Sequence, residues 1–313
     1  MGSTLVRRLL ADGHEVNALR RESSTLDLVG ETAADVTWIT GDLFDHEALA
    51  EGMKNASAVF HCAAYLGFEG KKSKEQLYRI NVDGTAAIVN AALEHGVGRL
   101  VHTSSISALG RSEHSTQCLD ESAEWADSPL NTGYGHSKYL AELEVHRGIA
   151  EGLDAVMVNP SLIMGPGRAG ENTMQIVGQI RDRKLPFCPP GSTNVVDVED
   201  VVDGILLALG KGKTGNRYIL SGHNMPWERI IAELAQALGV PAPSRTISRP
   251  LLMTGAVLSE LAGFVFRFTP LITRETARLS LSMSCYDNTK AINELGFSPR
   301  PFSQTAARIA ASY

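Results

Sequence analysis

The chain has 313 residues and a mass of 33.6 kDa, enough for one large domain or two unequal lobes around a full core. Hydrophobic residues make up 43% and charged residues 20%, which excludes wholesale disorder, and 29 Lys+Arg against 35 Asp+Glu leave −6 at pH 7 with no basic patch for nucleic acid. Cys62, Cys118, Cys188 and Cys285 show no CxxC and no His at ligand spacing, which argues against a disulfide framework or a metal site and for a reducing cytoplasm.

The run from Ser3 to Leu10 is interrupted by Arg7 and Arg8, too early for an export segment, and reads as a helix over 3–12 stopped at Asp12-Gly13. Strands follow at 15–19 and 36–40, and Gly41-Asp42-Leu43 leads into a helix near 45–53. A strand at 58–61, a long helix around 74–95 and a strand at 99–103 come next, then a helix over 134–151 and a strand at 155–159. This βαβ series predicts an α/β protein with a doubly wound parallel sheet, whose ligands sit at the carboxyl ends of the strands. After Pro160 the pattern changes. Loops cluster at Gly165-Pro166-Gly167 and at 186–191, the strand 217–220 returns to the sheet, and helices near 227–238, 251–267, 273–280 and 301–312 build a smaller lobe. The predicted division is 1–161 plus 193–221 for the sheet-bearing part and 162–192 plus 222–313 for the smaller lobe. The apolar stretch Leu251–Phe268 contains Glu260 and Arg267 and is short for a bilayer span, so it reads as a buried or lid helix rather than a membrane contact.

Tyr134-Gly135-His136-Ser137-Lys138 carries the chemistry. Tyr and Lys at i and i+4 project from one helix face. A phenol with a reference pKa near 10 becomes a useful acid-base group when a neighbouring ammonium favours its ionised form. Alone, the pair is also what an exposed helix carries. Thr103-Ser104-Ser105 adds hydroxyls at the end of the 99–103 strand, where one can donate to a substrate oxygen beside the phenol. Asn81, in mid-helix, predicts a local kink or a water-mediated proton path. His14 and His61 read as structural, His136 as pointing off the catalytic face, and Asp197 with Asp200 as a helix start.

With these elements in order, the chain resembles an extended short-chain dehydrogenase/reductase of the NAD-dependent epimerase/dehydratase superfamily, on its dihydroflavonol-reductase and 3β-hydroxysteroid-dehydrogenase side. The resemblance runs nearly end to end, through Gly41-Asp42-Leu43, His61-Cys62-Ala63-Ala64, Asn81-Val82-Asp83-Gly84-Thr85, Thr103-Ser104-Ser105 with Gly110, and Tyr134/Lys138. It continues through Asn159-Pro160-Ser161, Gly165-Pro166-Gly167, 196–201 and Leu295-Gly296-Phe297-Ser298-Pro299. It implies a Rossmann-like sheet with a mainly helical C-terminal lobe, and a four-helix homodimer through the 74–95 and 134–151 helices. It also implies that Tyr134 is the general acid/base and that Lys138 lowers its pKa and holds the nicotinamide ribose. Ser105, five before Gly110, would orient the substrate oxygen, with Ser104 as the fallback and Asn81 as a supporting catalytic residue. Asp42 and Leu43 would flank the adenine, Ala63 and Ala64 would line the cofactor, and Pro160 and Ser161 would pack at the nicotinamide.

The family opens with a strand and a GxxGxxG turn that lays a pyrophosphate on a helix N-terminus. This sequence starts at the last of those glycines, leaving Gly2 as the one carried-over phosphate-loop residue, and lack of that mid-sheet strand exposes two sheet edges. The second strand ends in Arg20-Arg21 with no acid, which favours NADP over NAD, Arg20 being the expected contact for a 2′-phosphate. Ser104-Ser105-Ile106 stands where sugar-nucleotide dehydratases have Thr-Asp-Glu, so dehydration is rejected. The expected activity is hydride transfer between the nicotinamide and a small-molecule carbonyl or alcohol. Two alternatives remain: a nucleotide-sugar epimerase, for which Arg181, Arg183, Arg274 and Arg278 would hold the diphosphate, and a non-catalytic relative that senses dinucleotide or acts as a scaffold. The apolar Leu251–Phe268 and Pro270-Leu271-Ile272 segments favour a hydrophobic substrate.

Overall fold

The computed structural model describes residues 1–67, 71–110, 118–170, 173–266 and 273–313. In chain order it forms α1 (Gly2–Ala11), β1 (Asn17–Arg20), β2 (Thr37–Thr40), α2 (His46–Met53), β3 (Ala58–His61) and α3 (Lys71–Tyr78). A π-turn (Arg79–Asp83) leads to α4 (Gly84–Glu94), β4 (Arg99–Thr103), α5 (Gly133–Ala150) and β5 (Ala155–Pro160). β6 (Leu162–Met164), α6 (Thr173–Arg181), β7 (Ser192–Asp197), α7 (Val198–Lys211), β8 (Arg217–Leu220) and β9 (His223–Pro226) follow. The chain closes with α8 (Trp227–Ala237), α9 (Arg249–Phe266), α10 (Arg274–Leu281) and α11 (Phe302–Ala311). The predicted helix ends hold where caps set them: Gly13 takes φ 84° after α1, and the Asp45 side chain accepts from the Ala48 N–H to start α2.

The parallel core is β3-β4-β5-β8, and its strands show why they fold so. All six residues of β5 are buried. Val101, Val156 and Val158 turn to one face, against Leu5 and Leu9 of α1 and Val201, Val202 and Ile205 of α7. Leu100, Ala155 and Met157 turn to the other, against Leu49 of α2, Ile88 and Val89 of α4 and Val145 of α5. This two-sided burial is what a parallel sheet requires. β1 and β2 form a separate parallel pair, and among the described residues no strand joins β1 to β3, although Ala18 and Phe60 share one apolar cluster.

A second core gathers Met174, Val177 and Ile180 of α6, Ile230, Ile231 and Leu234 of α8, and Phe302, Ala306 and Ile309 of α11. Its three-stranded sheet, β6-β7-β9, was not legible, because Ser192-Thr193-Asn194 breaks the apolar signature of β7 and the other two strands are short. β7, which the predicted division places almost wholly with the first part of the chain, pairs on both its edges with strands of the second, β6 and β9. Asp197 caps α7 by accepting from the Glu199 N–H at 2.7 Å and pairs with Arg308 at 3.1 Å, while Asp200 holds Arg300 at 2.6 Å. Both aspartates therefore have the structural role expected of them.

The cysteine reading is corrected by the structure. Cys118 and Cys285, 167 positions apart, are joined in a disulfide with Cα atoms 4.5 Å apart. The loop after β4 pairs Leu119 with Tyr286, the Leu119 N–H donating to Cys285 O and the Asp287 N–H to Leu119 O, each at 2.9 Å. Spacing along the chain cannot reveal such a long-range contact, and with it the argument from cysteine usage for a reducing compartment lapses. Cys62 and Cys188 are free. Among the described residues no helix is long and apolar enough to cross a membrane. Arg267 and Pro270-Leu271-Ile272 lie outside the described residues. α9 packs on α10 through Leu252, Ala256 and Ala277, leaving Leu251, Leu258 and Leu261 exposed.

Candidate active site

The site grows from the end of β4. Ser105 starts a 3-10 turn, Ile106–Leu109, its Oγ accepting from the Ser107 N–H at 3.1 Å, and Gly110 ends it at φ 72°, where a side chain would be strained. Thr132 caps α5 by accepting from the Gly135 N–H at 2.9 Å. A Cβ on Gly135 would sit 2.7 Å from Ser107 O, so this glycine lets the first turn of α5 press against the serine turn. The approach brings the Tyr134 phenol beside the Ser105 side chain, which acts to favour its ionised form. Lys138, one helical turn on, points inward at 1% exposure, its Nζ donating to Thr103 O at 2.9 Å and lying 3.4 Å from His102 Nε2. Ser104 also lies at the strand end, with an Oγ that has no partner.

Burial governs the electrostatics. Desolvation pushes the Tyr134 phenol up to about 12, with the Ser105 side chain working against it. The expected lowering of this group by Lys138 is therefore not what the site shows. The ammonium is turned toward Thr103 O and is itself brought down to about 8 by burial, with the Glu142 carboxylate acting in the opposite sense. Burial also holds His61 down to about 3 and His102 well below its ordinary value, and it raises the Cys62 thiol. His136 bonds the Tyr78 hydroxyl through Nδ1 at 2.8 Å beside Trp125 and Tyr139, off the catalytic face as predicted.

Asn81 sits in the π-turn between α3 and α4, so the predicted kink is present. Its Oδ1 accepts from the Tyr65 N–H at 2.7 Å, and its Nδ2 donates to Tyr65 O at 2.8 Å and Ser137 Oγ at 2.9 Å. The side chain thus clamps the loop after β3, which carries the exposed Ala63 and Ala64, to α5. This clamp occupies the side chain that the sequence offered to a water path.

The remaining predicted residues line the carboxyl ends of the strands. Gly2 is exposed at the N-terminus of α1, where the first backbone N–H groups lack helical acceptors. An open cleft of ≈ 880 Å³ is lined by Arg21, Glu22, Ser23, Thr40, Gly41, Asp42, Phe44 and Asp45. Arg20 ends β1 with a buried Nε that has no partner among the described residues, and the next residue, Arg21, lines the cleft. Asp42 Oδ1 accepts from the Phe44 N–H at 2.8 Å, and Leu43 packs against Gly84. Pro160 and Ser161 are buried at the end of β5, and Ser161 Oγ has no partner. Arg20, Ser104 and Ser161 are among the described residues with a buried polar atom that has no partner, and their placement fits an extended polar ligand laid across the strand ends. Sequence reasoning gave no role to the buried Glu142 and Asn159 or to the half-buried Arg217. An acidic residue four after Lys138, on the same helix face, was the available signal.

With this geometry in place, comparison with known proteins gives a consistent result. The model of the NAD dependent epimerase/dehydratase family matches residues 1–221. The chain is 36% identical over 312 residues to a Synechocystis protein named as a dihydroflavonol 4-reductase, covering 98% of this chain and 90% of that one. It is 31% identical to sterol demethylase protein B of Methylococcus capsulatus, over 96% of this chain and 90% of the relative. The solved structure of gox2253 superposes with a TM-score of 0.83 at 32% identity, covering 99% of this chain and 94% of that one. The chain belongs to the NAD-dependent epimerase/dehydratase family.

Proposed function

We propose that the protein is an NAD(P)-dependent reductase of an apolar carbonyl compound, with Tyr134 as the general acid. The observation that carries this reading is the placement of Tyr134 beside Ser105 at the sheet's carboxyl edge, with Lys138 one turn behind it. The nicotinamide, when bound, supplies the hydride. Ser105 orients the substrate oxygen, Tyr134 delivers the proton to it as negative charge develops there, and Lys138 secures the ribose side. A phenol pushed up to about 12 is protonated at neutral pH, so the resting site carries the proton that reduction of a carbonyl uses. The relatives named for a dihydroflavonol and a sterol support an apolar substrate. Of the four arginines that the nucleotide-sugar epimerase alternative would use, Arg181 is paired with Asp182 at 3.0 Å and Arg274 with Glu260 at 2.6 Å.

The residues at the strand ends suit NADP: Arg21 lines the cleft, and the neighbouring Arg20 has a nitrogen without a partner. Titration of intrinsic fluorescence with NADPH and with NADH tests the function. Micromolar binding of either supports it; binding of neither overturns it. Arg20→Ala and Arg21→Ala, made singly and together, are expected to weaken NADPH by about 10- to 100-fold and NADH by much less, from the loss of charge-assisted hydrogen bonds. Equal losses for the two dinucleotides would refute the NADP assignment.

A further inference from the structure

Beneath the three site residues lies a buried polar group that neither the family match nor the proposed chemistry uses. Glu142 is 2% exposed on the inward face of α5, one turn after Lys138. Its Oε1 accepts from Asn159 Nδ2 at 2.6 Å and its Oε2 from Arg217 at 3.4 Å. The same Asn159 nitrogen donates to Ser105 O at 3.0 Å. Arg217 is fixed in turn by Glu121 O at 2.9 Å and by Ala123 O. One carboxylate therefore ties the helix bearing Tyr134 and Lys138 to the serine turn, to the end of β5 and to β8.

A buried carboxylate is costly unless nearby charge and hydrogen bonds compensate it. The titratable groups around Lys138 show what it compensates. From β3 and the residue after it come His61 and Cys62, from β4 comes His102, from α5 comes Glu142, and from β8 comes Arg217 behind that carboxylate. Burial keeps both imidazoles and the thiol uncharged, and the phenol is neutral. Two groups act against the burial of Lys138, Glu142 first and Cys62 after it, and Glu142 also has the Arg217 guanidinium on its far side at 3.4 Å.

We propose that Glu142 is a positioning residue of this site: it holds the Ser105 turn through Asn159 and supplies the buried negative charge that keeps Lys138 an ammonium. The assignment rests on reading Lys138 as the charge that serves the dinucleotide and Tyr134. The charge role has a signature that a purely structural role lacks. Lys138 releases its proton near pH 8 in the folded protein and at the higher, ordinary lysine value when unfolded. Stability therefore rises as pH climbs through the folded value, because the unfolded chain then binds more protons. Without the carboxylate the folded value falls further, so this rise begins at lower pH.

The test compares melting temperatures of wild type, Glu142→Gln and Glu142→Asp from pH 6 to 9, in cofactor-free protein. Glu142→Gln keeps the shape and a hydrogen-bond acceptor for Asn159. Its melting deficit is expected to be largest near pH 6 and to shrink with rising pH, by about 2 °C for each unit by which the lysine value is displaced. Glu142→Asp should restore a flat difference, and in a Lys138→Met background the pH dependence of the Glu142→Gln deficit should vanish. In parallel, the pH above which NADPH affinity declines is expected to move down by about one unit in Glu142→Gln. A deficit of constant size at every pH, with the Lys138→Met background making no difference, overturns the charge role. Failure of the wild type to bind either dinucleotide refutes the proposed function instead, and the melting series then decides the coupling of Glu142 to Lys138 by itself.

Discussion

Replacing Tyr134 with phenylalanine is expected to lower turnover by about 10²- to 10⁴-fold, the range over which a positioned acid or base accelerates proton transfer. Dinucleotide affinity is expected to stay within a few-fold. The change removes one oxygen and leaves the ring, so the packing of α5 against the serine turn, set by Gly135, is retained. Removal of the hydroxyl leaves the Ser105 Oγ still accepting from the Ser107 N–H, so the turn keeps its shape. Single-turnover reduction with NADPH, alongside a binding titration, separates the proton-transfer defect from any loss of cofactor. Turnover at the wild-type rate would sink the general-acid assignment, because Tyr134 is the phenol placed beside Ser105.

The second large effect concerns stability. Opening the Cys118–Cys285 disulfide is expected to lower the unfolding free energy by up to about 5 kcal/mol, the chain-entropy value for a closed loop of this length. The local structure should survive, since the Leu119–Tyr286 backbone bonds remain and Glu121 Oε1 still accepts from the Ile219 N–H at 2.7 Å. The expectation is therefore an assembled site in a protein that unfolds at lower denaturant. Urea unfolding of wild type with and without a thiol reductant, and of a Cys118→Ser/Cys285→Ser variant, measures it, with intact mass reporting the bond. Coincident midpoints under the two conditions would refute the stabilising role.

Much of this molecule could be read before it was seen, and the limits have physical causes. β3 and β4 fall where their β-branched runs place them, and the π-turn at Arg79–Asp83 falls where Asn81 interrupts a helical pattern. Tyr134 and Lys138 announce themselves by spacing, and the structure brings the phenol to Ser105 rather than Ser104. What spacing does not carry is solvation. The lowering expected of the phenol assumed a nearby ammonium in an open setting, whereas the actual pocket is dry enough to push both groups toward neutrality. Contacts between distant segments are equally silent, as with Cys118 and Cys285, or Glu142 and Arg217. Arg20 was chosen over Arg21 by position alone, and side-chain direction in the last strand residue decides which of them lines the cleft.

The division of the parallel strands into a pair and a quartet bears on the order in which the molecule loosens. A two-stranded ribbon is marginal by itself, so β1 and β2 depend on α2 and on the apolar cluster they share with Phe60. Local opening should therefore reach Asn17–Arg20 and Thr37–Thr40 at a smaller free energy than the quartet, whose strands are buried on both faces. An elongated ligand with one end in the Arg21 cleft and the other beside Ser161 would touch both groups of strands. It would act as a rivet, stiffening the looser ribbon by fastening it to the firmer sheet.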